Sequence, residues 1–230
     1  MRAWRKLPSY MRVPEVEPYY KLLKKRLISL ALKRCFDIVV SLSLLFLLFI
    51  PMIVIAIMIK CDSKGSVLYR QERVTRYGEH FKIHKFRTMI NHADQMGSTV
   101  TVENDSRITR IGSILRNRRL DELPQLIDVL IGDMSFVGTR PEAVKYVERY
   151  KPEYYATLLL PAGITSEASI RYKDEAELLG TAENVDRVYI EQVLPEKMNW
   201  NLKSIREFHF LGEMVTMFRT VFVIMGKEYK

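Results

Sequence analysis

The apolar residues of this chain are spread unevenly, and one run dominates the pattern. Residues 38–59, IVVSLSLLFLLFIPMIVIAIMI, carry no charge over 22 positions. As a straight helix the run would be about 33 Å long, roughly the hydrocarbon thickness of a bilayer. Core helices of soluble proteins are rarely apolar for so long, so the pattern predicts a membrane-embedded helix. Pro51 removes one backbone hydrogen bond near its middle and clashes with the preceding turn, which predicts a bend. Both flanks are basic: Lys33 and Arg34 before, Lys60, Lys64, Arg70 and Arg73 after. A spanning helix concentrates positive charge on one side. The symmetric flanks favour a re-entrant helix that enters and leaves by one face, with a span as the alternative.

Other stretches show helical or strand periodicity. Residues 1–34 are basic and aromatic, and Pro8, Pro14 and Pro18 predict an irregular arm. From Tyr19 to Arg34, leucines among lysines and arginines read as a basic amphipathic helix, either on an anionic membrane surface or simply on the protein surface. Val67–Arg73 and His80–Phe86 read as a hairpin turning around Tyr77-Gly78-Glu79, with Phe81 and Ile83 on one face. Residues 91–106 read as a flexible polar loop. Helices are expected over Arg110–Arg119, over Glu122–Ile131 with a stop at Gly132, and around Glu142–Tyr150. GDMSFVGTRPE reads as a loop, and 151–200 as short helices and loops. In 203–225, Phe208, Leu211, Val215, Phe218 and Phe222 recur at three-to-four spacing, which fits a second interfacial helix or a core helix equally.

Composition narrows the partners. The net charge of +9 points to an anionic one: nucleic acid, an acidic membrane surface or a phosphorylated substrate. Cys35 and Cys61 lie far from any histidine pair, so neither a disulfide framework nor a zinc site is expected. The first long apolar run starts too far into the chain for a signal peptide.

The candidate chemistry sits in RNRRLDELPQL, residues 116–126, where three arginines run into the adjacent carboxylates Asp121 and Glu122. A helix start explains much of this, with Asp121 as N-cap, Glu122 a first-turn acid and Pro124 a first-turn proline. The same geometry suits phosphate chemistry, because a helix N-terminus presents unpaired N–H groups and partial positive charge. Nearby cations would keep both carboxylates ionised. One could then attack phosphorus while the other holds Mg²⁺.

These residues also carry a family resemblance. KRCFDIVVSLSLLFLLFIP, SVLYRQERV, FKIHKFRTM, RITRIGSILRNRRLDELPQLIDVLIGDMSFVGTRPE and PAGIT, in that order from about Lys33 to Thr165, resemble the bacterial sugar transferases, which are monotopic phosphoglycosyl transferases. The resemblance implies transfer of a sugar-1-phosphate from a nucleotide diphosphate sugar, a UDP-sugar being expected, to polyprenyl (undecaprenyl) phosphate. It releases the nucleoside monophosphate and initiates surface glycan assembly. It implies Asp121 as the nucleophile of a covalent phosphosugar intermediate, Glu122 as the Mg²⁺ ligand and Lys85 as a required lysine. Arg116 and Arg140 would contact substrate phosphate or stabilise the site, with Arg87 and Gln125 as further phosphate-binding candidates. Arg107 and Arg110 could also assist, but each, like Arg87, reads more readily as a surface charge. The scattered histidines are assigned nothing.

The resemblance further implies an α+β, mainly helical fold: a re-entrant helix broken at Pro51, interfacial amphipathic helices and a small β-hairpin beside the catalytic domain. The divisions expected are 1–34 for the arm and amphipathic helix, 35–60 for the re-entrant helix and 61–230 for the catalytic domain. That domain would lie on the cytosolic face of the bacterial inner membrane. Nucleotide sugar, polyprenyl phosphate and membrane lipids are the implied partners, without nucleic acid, and self-association is left open. Three positions depart from the family pattern: Ile50 stands where serine often precedes the proline, Thr139 replaces a common proline, and Ala162 is inserted in PAGIT. The sugar therefore does not follow by analogy. Two rival readings are a membrane-anchored nucleic-acid- or lipid-binding module without catalysis, and an idle scaffold of the same fold.

Overall fold

A computed structural model describes residues 1–91, 93, 105–172 and 184–224. Most of the polar loop expected over 91–106 lies outside the described residues. Among the described residues the fold is α+β and mainly helical, with two small two-stranded sheets.

The N-terminal arm is not a loose tail. Two 3₁₀ turns, Trp4–Lys6 and Ser9–Met11, lead into helix α1 (Glu17–Lys24), whose Pro18 occupies the first turn, where its missing N–H costs nothing. Met11, Val16 and Leu23 are fully buried, in one apolar cluster with Tyr146, Leu159, Leu194, Met198 and Phe208. Prolines shaped the arm, but its apolar residues decided that it would pack.

The helix expected over 19–34 breaks at Lys25–Arg26. Its second half continues without interruption into the apolar run as α2 (Leu27–Leu47), followed by α3 (Phe49–Asp62). The axis bends by 61° between them at Leu48. The break falls three residues before Pro51, where the pyrrolidine ring meets the turn that precedes it and leaves the Leu47 carbonyl without its i+4 donor. Ser41 and Ser43 donate to their own helix, to the Ile38 and Val39 carbonyls, and take no part in the bend. Among the described residues no single helix is long and apolar enough to cross a membrane, but this bent pair passes together. Phe46, Phe49 and Ile50 at the bend are 88%, 62% and 72% exposed.

The basic residues before the apolar run do not flank it as surface charges. Lys33 is buried, donating to the Val137 carbonyl (2.8 Å) and pairing with Glu213 (2.6 Å). Arg34 donates to the Val129 and Leu130 carbonyls at 2.6 and 2.8 Å. Asp37, also buried, accepts from the Ser135 hydroxyl and the Phe136 N–H. The charge symmetry across the apolar run thus overstates the surface charge on its N-terminal side.

The expected hairpin forms from β1 (Leu68–Val74) and β2 (His80–Phe86), antiparallel with Tyr69 opposite Lys85 and Arg73 opposite Phe81. Tyr77, at φ 62°, makes the turn. Helix α4 (Arg110–Asn117) is capped by the Thr109 hydroxyl. Helix α5 (Gln125–Ile131) ends at Gly132, whose φ of 103° provides the left-handed turn. Arg34 satisfies the last carbonyls of α5, favourable also for the helix dipole.

One strand was not foreseen. MSFV, residues 134–137, forms β3, and β4 (Ala162–Thr165) pairs with it in parallel. All four β3 residues are buried, so no alternation marks the strand in the sequence. A Cβ on Gly163 would lie 2.2 Å from the Gly138 nitrogen, so the close approach of the two segments requires glycine there.

Between these strands lie α6 (Val144–Val147) and a 3₁₀ stretch, Pro152–Leu159. Then follow α7 (Glu167–Arg171), α8 (Val185–Val188), α9 (Leu194–Arg206) and α10 (Phe210–Ile224). The single helix expected over 203–225 is therefore broken at 207–209. Phe208 at the break turns into the core, while Leu211, Val215, Phe218 and Phe222 of α10 remain exposed.

Candidate active site

Chain reversal after α4 puts the two carboxylates in place. Arg119 adopts a left-handed conformation (φ 56°), which costs a non-glycine residue about 1 kcal/mol. A 3₁₀ turn, Leu120–Glu122, follows at once, and α5 starts only at Gln125. Asp121 is therefore not the N-cap of α5, as the local pattern predicts. Pro124 occupies that position, and no side chain caps the helix.

Strand β2 and the loop after β3 each bring one cation to Glu122. Lys85 Nζ lies 2.8 Å from Glu122 Oε1, and an Arg140 guanidinium nitrogen lies 2.7 Å from the same oxygen. Asp121 is buried beside this cluster, yet its carboxylate has no hydrogen bond or ion pair among the described residues. Neighbours in sequence thus differ sharply in environment.

The electrostatics follow. Burial works to raise the Glu122 pKa, but Arg140 and Lys85 overcome it and hold the carboxyl well below its ordinary range. Burial raises the Asp121 pKa, and neither Lys85 nor Arg116, both of which lower it, fully offsets this. The sequence alone predicted that cations would govern both groups; for Asp121, desolvation wins. Burial lowers the Lys85 pKa, partly opposed by Glu122.

The remaining candidates separate. Arg116 acts electrostatically on Asp121 and belongs to the cluster. Gln125 is 1% exposed, and its amide nitrogen has no hydrogen-bond partner, an arrangement that native interiors seldom leave unmet by water or ligand. Arg87 is engaged elsewhere: its terminal guanidinium nitrogens donate to the Ser63 and Lys64 carbonyls and the Ser63 hydroxyl, while its buried Nε has no partner among the described residues. It fastens the chain leaving α3 and is not brought to the carboxylates. Arg107 is fork-bonded to Asp105.

One pair escaped the sequence reading. Asp128, fully buried on α5, accepts from both the backbone N–H and the ring Nδ1 of His84, at 2.9 and 2.6 Å. It thereby holds the open edge of β2 one residue from Lys85. Only the tertiary packing of α5 on that edge makes the pair visible.

The donor set can be weighed against Mg²⁺. Among the described residues no three histidine, cysteine, aspartate or glutamate side chains gather. Mg²⁺ does not need such a cage, since it keeps waters and shares one or two carboxylates with substrate phosphates. Glu122, firmly anionic, is a hard oxygen donor of that kind, so the residues fit.

Comparison with known proteins agrees with the motif reading. The chain is 43% identical over 150 residues to the exopolysaccharide production protein PSS of Rhizobium leguminosarum bv. phaseoli, covering 62% of this chain and 75% of that protein. It is 34% identical over 195 residues to a UDP-glucose:undecaprenyl-phosphate glucose-1-phosphate transferase of Escherichia coli (strain K12), covering 83% of this chain and 39% of the relative. It is 31% identical over 197 residues to a UDP-N-acetylgalactosamine-undecaprenyl-phosphate N-acetylgalactosaminephosphotransferase of Aeromonas hydrophila, covering 84% and 44%. The chain thus spans less than half the length of those two transferases. The family model described as bacterial sugar transferase matches residues 28–227, nearly the whole sequence, and the chain belongs to that family.

Proposed function

We propose that this chain transfers a sugar-1-phosphate from a UDP-sugar to undecaprenyl phosphate, releasing UMP, as the initiating step of surface glycan assembly. The named activities of the Escherichia coli and Aeromonas relatives support the substrate classes. The observation that carries the mechanism is the inequality of the two carboxylates: Glu122 is clamped by two cations, while Asp121 lies beside them unengaged. An unpaired carboxylate in a cationic pocket is suited to attack.

In this reading an Asp121 oxygen attacks the phosphorus bonded to the sugar oxygen. The bond from that phosphorus to the bridging oxygen breaks, and UMP departs with the electron pair. A phosphate oxygen of the lipid then attacks the same phosphorus, which releases Asp121 as a carboxylate and leaves a sugar on a lipid diphosphate. Lys85, Arg140 and Arg116 supply positive charge where the diphosphate lies, and arginine's planar fork can grip two phosphate oxygens. Glu122 would hold Mg²⁺, which when bound neutralises diphosphate charge. Gln125, three residues after Glu122, has a buried amide nitrogen without a partner among the described residues and is a further candidate for a phosphate oxygen.

The membrane reading rests on the bent, exposed apolar pair α2–α3 and on the uncovered face of α10. Together they favour a monotopic protein in the bacterial inner membrane, re-entrant at the Leu48 bend, with its catalytic face on the cytosolic side. The nucleic-acid reading gains no support, because Lys33, Arg34, Lys85, Arg87 and Arg140 all make internal contacts.

The test is UMP release across a panel of UDP-sugars with undecaprenyl phosphate and Mg²⁺, followed by intact mass measurement after quenching with donor alone. Asp121→Asn should abolish release, and wild type should gain a sugar-phosphate mass on the peptide containing Asp121. Full turnover by Asp121→Asn would remove the covalent mechanism.

A further inference from the structure

Arg73, in the RQERV stretch of β1, has no role in the mechanism above, yet the fold delivers it to the same loop as Arg140. Two consecutive residues of β1 strap that loop. The Val74 N–H donates to the Glu142 carbonyl at 3.1 Å, and the Arg73 guanidinium donates to the Pro141 carbonyl at 3.3 Å. Arg140 is the residue immediately before Pro141. Arg73 also sits on the strand face shared by Tyr69, whose partner across the hairpin is Lys85. The hairpin therefore fixes both cations that meet on Glu122, Lys85 directly and Arg140 through the strapped loop.

The arginine is not used up by these contacts. A guanidinium has five N–H donors. Among the described residues Arg73 uses one on Pro141 and one on the Gln71 side chain, which leaves three without a protein acceptor. Its nearest acidic influence, Glu142, is engaged with Lys197 (3.7 Å) and Tyr189 (2.6 Å). Its charge is also felt by Arg140, and like charges held this close in a half-buried site favour an anion between them. Lys85, Arg116 and Arg140 act on the carboxylates Asp121 and Glu122, and Arg73 adds a fourth cation beside Arg140.

We propose that Arg73 is a donor-binding residue that contacts the diphosphate of the nucleotide sugar, while its bond to the Pro141 carbonyl keeps Arg140 in reach of the same group. The assignment rests on the proposed transferase reading for the identity of the ligand.

The experiment measures binding of inorganic pyrophosphate to the full chain in lipid nanodiscs, by calorimetry, for wild type, Arg73→Gln and Arg73→Lys. Thermal unfolding of each is recorded alongside. Loss of the charge in Arg73→Gln should weaken pyrophosphate binding roughly tenfold, the worth of one charge-assisted hydrogen bond, and flatten its salt dependence. Arg73→Lys should recover most of the affinity, and the donor KM should rise in Arg73→Gln more than kcat falls. Pyrophosphate affinity equal to wild type in Arg73→Gln would overturn the proposal. So would equal loss in both variants with a lowered unfolding temperature, which would make Arg73 structural, and so would absence of pyrophosphate binding by wild type. Because binding needs no turnover, failure to use any UDP-sugar would sink the transferase reading and leave the Arg73 result standing.

Discussion

Lys33 and Glu213, 180 positions apart, form a buried ion pair with the Lys33 Nζ 2.6 Å from the Glu213 carboxylate. It joins the helix that leads into the apolar segment to the last described helix, and Lys33 also holds the Val137 carbonyl of β3. Three residues after Val137 comes Arg140, so the pair ties α2 and α10 to the loop that completes the site.

Breaking this pair on one side should therefore be costly. With both side chains at 12% exposure or less, Lys33→Met alone should destabilise the protein by about 3–4 kcal/mol, because it strands a buried carboxylate. Lys33→Met combined with Glu213→Leu should recover most of that loss. Denaturant unfolding of the singles and the double gives the coupling. Equal stability of wild type and Lys33→Met would show that the pair contributes nothing.

Glu122→Gln should separate stability from chemistry. The substitution leaves Lys85 and Arg140 without their shared anion, a loss of about 2 kcal/mol given that Arg140 is partly solvated. Turnover should fall by orders of magnitude more than the folded fraction, with Mg²⁺ titration shifted to higher concentration. A variant with wild-type turnover and Mg²⁺ dependence would detach Glu122 from the metal.

The pH profile of kcat/KM should be bell-shaped, with both limbs displaced inward. Asp121 must be ionised to attack, and burial raises its pKa above 3.8, so activity should fall with decreasing pH earlier than an ordinary aspartate would allow. Lys85 must be charged to hold Glu122, and burial lowers its pKa below 10.5, so activity should fall with increasing pH before a free lysine would titrate. Loss of the acid limb in an active Lys85→Arg variant would reassign that limb.

Cys35 on α2 and Cys61 on α3 are both exposed and flank the apolar run 38–59. If the segment is re-entrant, an impermeant thiol reagent added outside intact cells should label neither, and permeabilised cells should label both. Labelling of one cysteine from outside would establish a span. Straightening the bend with Pro51→Leu should move the outcome towards that pattern, since the lost i+4 bond would be restored.

Local order was legible in the sequence wherever one element could explain itself. The 22-residue apolar run, the alternation of Phe81 and Ile83, the stop at Gly132 and the adjacent carboxylates each have a cause within a few residues, through hydrogen-bond periodicity, dihedral preference or charge proximity. Only the tertiary structure decided what those residues face. Lys33 and Arg34 read as membrane flanks until β3, α5 and α10 supplied buried acceptors, and Arg87 read as a phosphate ligand until the Ser63–Lys64 carbonyls claimed it. Asp121 read as a cap among arginines until the chain reversal gave that position to Pro124 and burial raised the carboxyl's pKa against the nearby cations. The physical reason is common to all three. A charge in a sequence specifies what it can bind, whereas desolvation and the partner it meets depend on segments distant along the chain.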